Sequence, residues 1–126
     1  MSFSRPLHTI TYLLAARARG DVAAALSCYE PNATVVMQPG KFASGEDAVT
    51  AFTEATITLP ITFGDREIVE AGDIALHLSQ WTLRSADGSE ISGRTTDVLR
   101  RQPDGKWLLV VDNPWGSSLL DRPAAS

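Results

Sequence analysis

The chain has 126 residues, 44% hydrophobic and 21% charged, the proportions of one globular domain rather than of a disordered segment. The formal net charge of −4, with no basic cluster denser than Arg94 and Arg100-Arg101, argues against a nucleic-acid or anionic-membrane surface. One cysteine, Cys28, excludes an internal disulfide and fits a reducing cytoplasm.

The opening Met-Ser-Phe-Ser-Arg-Pro has no apolar h-region, and no apolar run is long enough to span a bilayer. The expectation is therefore a cytoplasmic protein with neither signal peptide nor membrane partner. Residues 7–19 read as a helix, with Leu7, Ile10, Thr11 and Leu14 at i, i+3, i+4, i+7 spacing. Gly20 can close it, and Asp21 can cap a second helix over 22–29. Val22, Ala25, Leu26 and Tyr29 form the apolar stripe of that helix, and Pro31 stops it. Residues 33–37 form a short strand, and Gln38-Pro-Gly40 turns out of it. Ser44 then caps a third helix over 45–55, with Asp47 returning the bond and Ala48, Val49, Phe52 and Ala55 facing inward.

Beyond Leu59-Pro60 the period changes from helix to strand. Strands are expected over 61–70 and 74–84, joined at Ala71-Gly-Asp73. The second has faces Ile74, Leu76, Leu78, Gln80 and Ala75, His77, Ser79, Trp81. Ser85-Ala-Asp-Gly88 turns into a hairpin, with one arm at 90–101 and the other at 106–112 around Pro103-Asp-Gly105. The last arm is apolar on both faces and reads as a central strand. The first arm alternates and places Asp97 on the face of Ile91, Thr95 and Leu99. A carboxylate there must find partners, raise its pKa or line a wet cavity. Residues 121–126 read as a short polar tail. Helices first and strands afterwards indicate an α+β domain over 1–126, with an ordered core at about 7–116. The helices would close one side of a curved sheet and leave a cone-shaped cavity.

Arg19-Gly-Asp-Val-Ala-Ala-Ala-Leu26 with Tyr29-Glu-Pro-Asn-Ala-Thr34 resembles the second helix and first strand of the NTF2-like superfamily. Ser44-Gly-Glu-Asp-Ala-Val49 is similar to its third-helix start. Asp104-Gly-Lys-Trp107 with Val111-Asp-Asn-Pro-Trp-Gly116 resembles the final strand of its SnoaL-like, ketosteroid-isomerase-homologue branch. The resemblance covers Leu7 to Gly116 and implies a cone-shaped α+β barrel, a homodimer packed through the sheet, and a pocket. The superfamily spans isomerases, cyclases, hydrolases, dehydratases and purely assembling domains, so fold does not set function. Ketosteroid isomerases use an aspartate base, a tyrosine and a protonated aspartic acid. By resemblance the base position falls on Met37, which cannot take a proton. The tyrosine position falls on Leu13, beside Tyr12, and the third on Asp97, which is kept.

The candidate catalytic residues are Asp97, Asp112 and His77. Asp97 is either a pocket acid that donates to a substrate oxygen or a structural carboxylate held by Arg94, Arg100 or a helix residue. Asp112 ends the last strand on the side of Leu108 and Val110. His77 has a near-neutral ordinary pKa but no second histidine at metal-ligand spacing. Tyr12, Tyr29, Met37, Phe52, Trp81, Thr95, Asn113 and Trp115 form the candidate substrate-binding set. Asn113 also has a structural reading, as a turn residue bonding its own backbone. Cys28 reads as an inert buried thiol. No phosphate-cradling glycine loop, nucleophile elbow or zinc motif is present, so no cofactor or metal is expected. The reading is a pocket for a small apolar carbonyl or polycyclic compound, with cofactor-free isomerase or cyclase chemistry. The alternative is a non-catalytic ligand-binding, dimerisation or assembly module.

Overall fold

A computed structural model describes residues 3–121. The polar tail read at 121–126 therefore lies, beyond Asp121, outside the described residues. Helices α1 (Pro6–Ala18), α2 (Val22–Leu26) and α3 (Glu46–Thr56) pack on one sheet of β1 (Tyr29–Gln38), β2 (Lys41–Ser44), β3 (Ile61–Ala71), β4 (Ile74–Arg84), β5 (Glu90–Arg101) and β6 (Trp107–Asp112). The sheet order is β2-β1-β6-β5-β4-β3, antiparallel except where β1 meets β6. This is the expected α+β architecture, and β6 is interior as its two apolar faces require.

Helix α1 opens with Pro6 at its first turn, where a missing N–H costs nothing. Its buried face is Pro6, Thr9, Ile10, Leu13 and Ala16, not the stripe through Leu7 and Thr11. Leu7 is exposed, and Thr9 is turned inward because its hydroxyl donates to the Trp107 carbonyl at 2.6 Å. Asp21 caps α2 by accepting from the Ala24 N–H at 3.0 Å.

Helix α2 ends at Leu26 rather than at Tyr29, and Tyr29 begins β1. Pro31 thus lies inside a strand. It sits where the pairing of β1 with β6 breaks between Tyr29 and Thr34, and β2 pairs only from Thr34, so no ladder donor is lost. The edge strand β2 was not expected from sequence; its Lys-Phe-Ala-Ser carries no β-branched residue. Because Ser44 ends that strand, its hydroxyl pairs with Thr34 Oγ1 at 2.6 Å instead of capping α3. Gly45 takes the cap position at φ 101° with no side-chain bond. Helix α3 buries Val49, Phe52 and Thr53, while Ala55 is exposed.

On the inner face of the sheet β4 and β5 align in rows: Ala75 opposite Leu99, His77 opposite Asp97, Ser79 opposite Thr95 and Trp81 opposite Gly93. The last pair is a steric match. A Cβ on Gly93 would lie 2.4 Å from Trp81 Cζ2, so the indole can lie across the strand only because position 93 has no side chain. Gly93→Ala is expected to displace Trp81 and lower stability by about 1–3 kcal/mol, the usual cost of overpacking. Urea unfolding of the variant measures this, and an unchanged midpoint would contradict the packing argument.

Candidate functional site

The sheet curls around a cavity of about 310 Å³, closed on its other side by α1 and α3. That size is in the range of small-molecule sites. Most of its wall is apolar, including Ile10, Leu13, Met37, Phe52, Phe63, Trp81, Leu83 and Trp115. Into this wall project Tyr29, His77, Ser79, Thr95, Asp97 and Asp112.

Asp97 is 7% exposed, and both of its carboxylate oxygens are engaged. Oδ1 accepts from the Asn113 backbone N–H at 2.9 Å. Oδ2 is 3.0 Å from His77 Nδ1 across the β4–β5 pair. The partners are therefore His77 and a backbone amide, not Arg94, Arg100 or a helix residue. A carboxylate accepting from Nδ1–H fixes the histidine tautomer and leaves the lone pair on Nε2. That Nε2 is buried and has no hydrogen-bond partner among the described residues, in a side chain that lines the cavity. The indole Nε1 of Trp115, also on the cavity wall, is likewise without a partner.

Asp112 reaches the cavity through a β-bulge. Val98 pairs with Val111 while Leu99 pairs with Leu109, so Val110 is an extra residue in β6. Strict alternation would leave Asp112 on the face of Leu108 and Val110. The bulge reverses the phase and brings Asp112 to the side of Asp97. Its Oδ2 accepts from the Tyr29 hydroxyl at 2.5 Å. Burial, and then the charge of Asp97, push the Asp112 carboxyl up to about 7, against the pull of Tyr29 and Arg17. Burial and the neighbouring Asp112 hold the Tyr29 phenol well above 10, so it remains a donor at physiological pH.

The turn after β6 secures these positions. Asn113 Oδ1 accepts from the Trp115 and Gly116 N–H groups, and its Nδ2 donates to Thr96 Oγ1 at 2.8 Å. The Trp81 indole donates to the Pro114 carbonyl at 2.6 Å and meets Trp115 edge-on, ring centres 5.9 Å apart.

Of the residues singled out from sequence, Asp97, Asp112, His77, Tyr29, Met37, Phe52, Trp81, Thr95 and Trp115 all line this one cavity. Two do not. Tyr12 packs edge-on against Phe3 and under Arg19. Asn113 is spent on its turn, so it supports the site through its backbone amide. Cys28 is buried, with its thiol pushed up to about 12 by burial. Sequence reasoning missed Arg17, Ser79 and Arg66 on the cavity wall. Arg17 had a signal, since Ile10, Leu13, Leu14 and Arg17 continue one helical stripe. Among the described residues, no three of His, Cys, Asp and Glu gather as metal ligands, and no helix is long and apolar enough to cross a membrane.

A sequence profile described as the SnoaL-like domain matches residues 10–110. No curated protein matches the chain. Among solved structures, Rv0760c from Mycobacterium tuberculosis, in complex with estradiol-17β-hemisuccinate, is similar at 18% identity and a TM-score of 0.67, over 94% of this chain and 98% of that one. A ketosteroid isomerase-like protein from Erwinia carotovora atroseptica is similar at 21% identity and a TM-score of 0.63, over 83% of this chain and 88% of that one. An NTF2-like protein from Novosphingobium aromaticivorans is similar at 18% identity and a TM-score of 0.65, over 83% of this chain and 75% of that one.

The raised Asp112 carboxyl has a consequence for stability. It titrates at about 7 in the fold against an ordinary 3.8, so between those values the fold holds a proton that the unfolded chain has lost. The stabilisation from this group is complete below 3.8 and is lost as pH rises through about 7. Melting temperature is expected to fall across that window by more in the native protein than in Asp112→Asn. Parallel profiles in a buffered thermal-melt series would contradict the assignment.

Proposed function

The chain belongs to the SnoaL-like domain family, with an NTF2-like fold, and from that premise we propose that it binds a small apolar carbonyl or polycyclic compound and moves a proton on it without a cofactor. One observation carries this reading: the unpartnered His77 Nε2 at the apolar cavity, with Nδ1 held by Asp97. His77 is the base that takes a proton next to the substrate carbonyl. Asp97 is its positioning residue, rather than itself the donor to the oxyanion. Asp112, accepting from the Tyr29 hydroxyl and titrating near neutrality, returns a proton to the carbonyl oxygen or its neighbour. Isomerisation and cyclisation both need this pair of steps. Met37, Phe52, Trp81 and Trp115 hold the apolar body, with Thr95 beside them.

The test is solvent exchange. In D₂O, 2-tetralone exchanges the protons next to its carbonyl, and NMR follows the loss. The protein is expected to accelerate this exchange, and His77→Gln is expected to lose about a hundredfold of the acceleration, the usual share of a positioned base. Equal rates for the two proteins would remove His77 from the chemistry.

We further propose a single domain with its core at 7–116, working in the cytoplasm as a homodimer paired through the sheet. Val69, Ile74 and Leu76 support the pairing: they are apolar and 54%, 42% and 38% exposed on β3 and β4. Leu76 and Val69 face each other on the side of the sheet opposite His77. Leu76→Arg is expected to convert a dimer to a monomer in analytical ultracentrifugation. A monomeric native protein would contradict the pairing. The assembly-only alternative has less support, because it leaves the cavity's buried acid–base groups without a role.

A further inference from the structure

Two arginines line the same cavity, and the proton chemistry proposed for it does not use them. Arg17 stands where the main cavity meets a second one of about 460 Å³, lined in part by Gly20, Ile57 and Thr58. Its Nη2 donates to Thr56 Oγ1 at 2.8 Å.

Arg66 is brought inward by a second bulge. Phe63 pairs with Trp81 and Arg66 with Ser79, so β3 spends one more residue than β4 between those pairs, at Gly64-Asp65. Without the extra residue Arg66 would face away from Phe63. With it, Arg66, Ser79 and Thr95 form one row across three strands. The two hydroxyls in that row are 2.7 Å apart. Arg84, Arg100 and Arg101 each sit on an acidic side chain. Arg66 is half-buried, and its side chain has no hydrogen bond or ion pair among the described residues.

A guanidinium set against an apolar wall has lost part of its water without gaining a partner. Its planar fork matches a carboxylate in two parallel hydrogen bonds. The neighbouring row holds Ile68, His77 and Asp97. A group bound at Arg66 would lie about 7 Å along the strand from the His77 row, two residues of strand rise.

We propose that the ligand of this cavity is an amphipathic carboxylate, with an apolar ring or chain in the main cavity and its carboxylate on Arg66, beside the Ser79 and Thr95 hydroxyls. Arg17, across the cavity, adds positive potential where the second cavity begins. The proposal rests on the ligand-binding reading above and narrows it from apolar carbonyl compounds to those that also carry an acid group.

Calorimetric titration with 2-naphthoate and its neutral analogue 2-naphthamide tests this. The native protein is expected to prefer the naphthoate at least about tenfold, the scale of a hydrogen bond to a charged group. Arg66→Gln is expected to abolish that preference by weakening naphthoate binding far more than naphthamide binding, and Arg66→Lys to restore part of it. A two-state thermal melt like that of the native protein shows that the variant is folded. Equal affinities in the native protein, or a preference that survives Arg66→Gln, would overturn the carboxylate assignment and leave the ligand-binding reading standing. Binding of neither compound would overturn both.

Discussion

A carboxyl group taken out of water needs polar partners aimed at it, and Asp97 has two: an imidazole on the neighbouring strand and a backbone amide from the turn after β6. The rest of the site depends on this arrangement. The β4–β5 register must be in place for His77 to stand opposite Asp97. The turn must be in place for the Asn113 amide to point inward, and it is held by the Asn113 side chain and by Gly116. A Cβ on Gly116 would meet the Arg94 carbonyl oxygen at 2.3 Å, so the turn can close on β5 only with glycine there. Trp81 ties the same turn to β4 through the Pro114 carbonyl. The price of burying Asp97 is met by groups that also orient His77 toward the cavity.

Two interruptions of strand pairing decide what else the cavity contains. The extra residue in β6 turns Asp112 inward, and the extra residue in β3 does the same for Arg66. Bulges re-aim side chains in this way and also bend the strand that carries them. The same local feature thus helps a sheet curve and places a charged group inside the curve. Asp112 is buried next to Asp97, and burial together with that neighbouring charge raises its pKa, while the Tyr29 hydroxyl, donating to Asp112, offsets part of the cost.

Much of this was legible in the sequence because β4 and β5 obey a period of two. Asp97 stood out as a carboxylate on an apolar face, and His77 and Trp81 were placed on one face of β4. The partners of Asp97 were not legible. Arginines nearby in sequence were the natural guess, but cross-strand register, not sequence distance, set the contact. Asp112 was placed on the face of Leu108 and Val110 because alternation cannot register one inserted residue. Arg66 was hidden by the same kind of shift. Tyr29 was assigned to a helix, since a five-residue helix followed by a proline-containing strand looks like a longer helix stopped by Pro31. Tyr12, next to the position of the family tyrosine, proved to be one helical step away from the cavity that Leu13 lines.

The proposed proton transfer depends on where one ring carries its proton. A His77 ring that donates from Nδ1 to the Asp97 carboxylate keeps a free lone pair on Nε2. The ¹⁵N shifts of the His77 imidazole, assigned against a His77→Gln sample, report this directly. A protonated Nδ1 with an unprotonated Nε2 at neutral pH is the predicted result. A proton on Nε2 with Nδ1 bare would mean that Asp97 is the protonated partner. His77 would then be a donor rather than a base, contradicting the account.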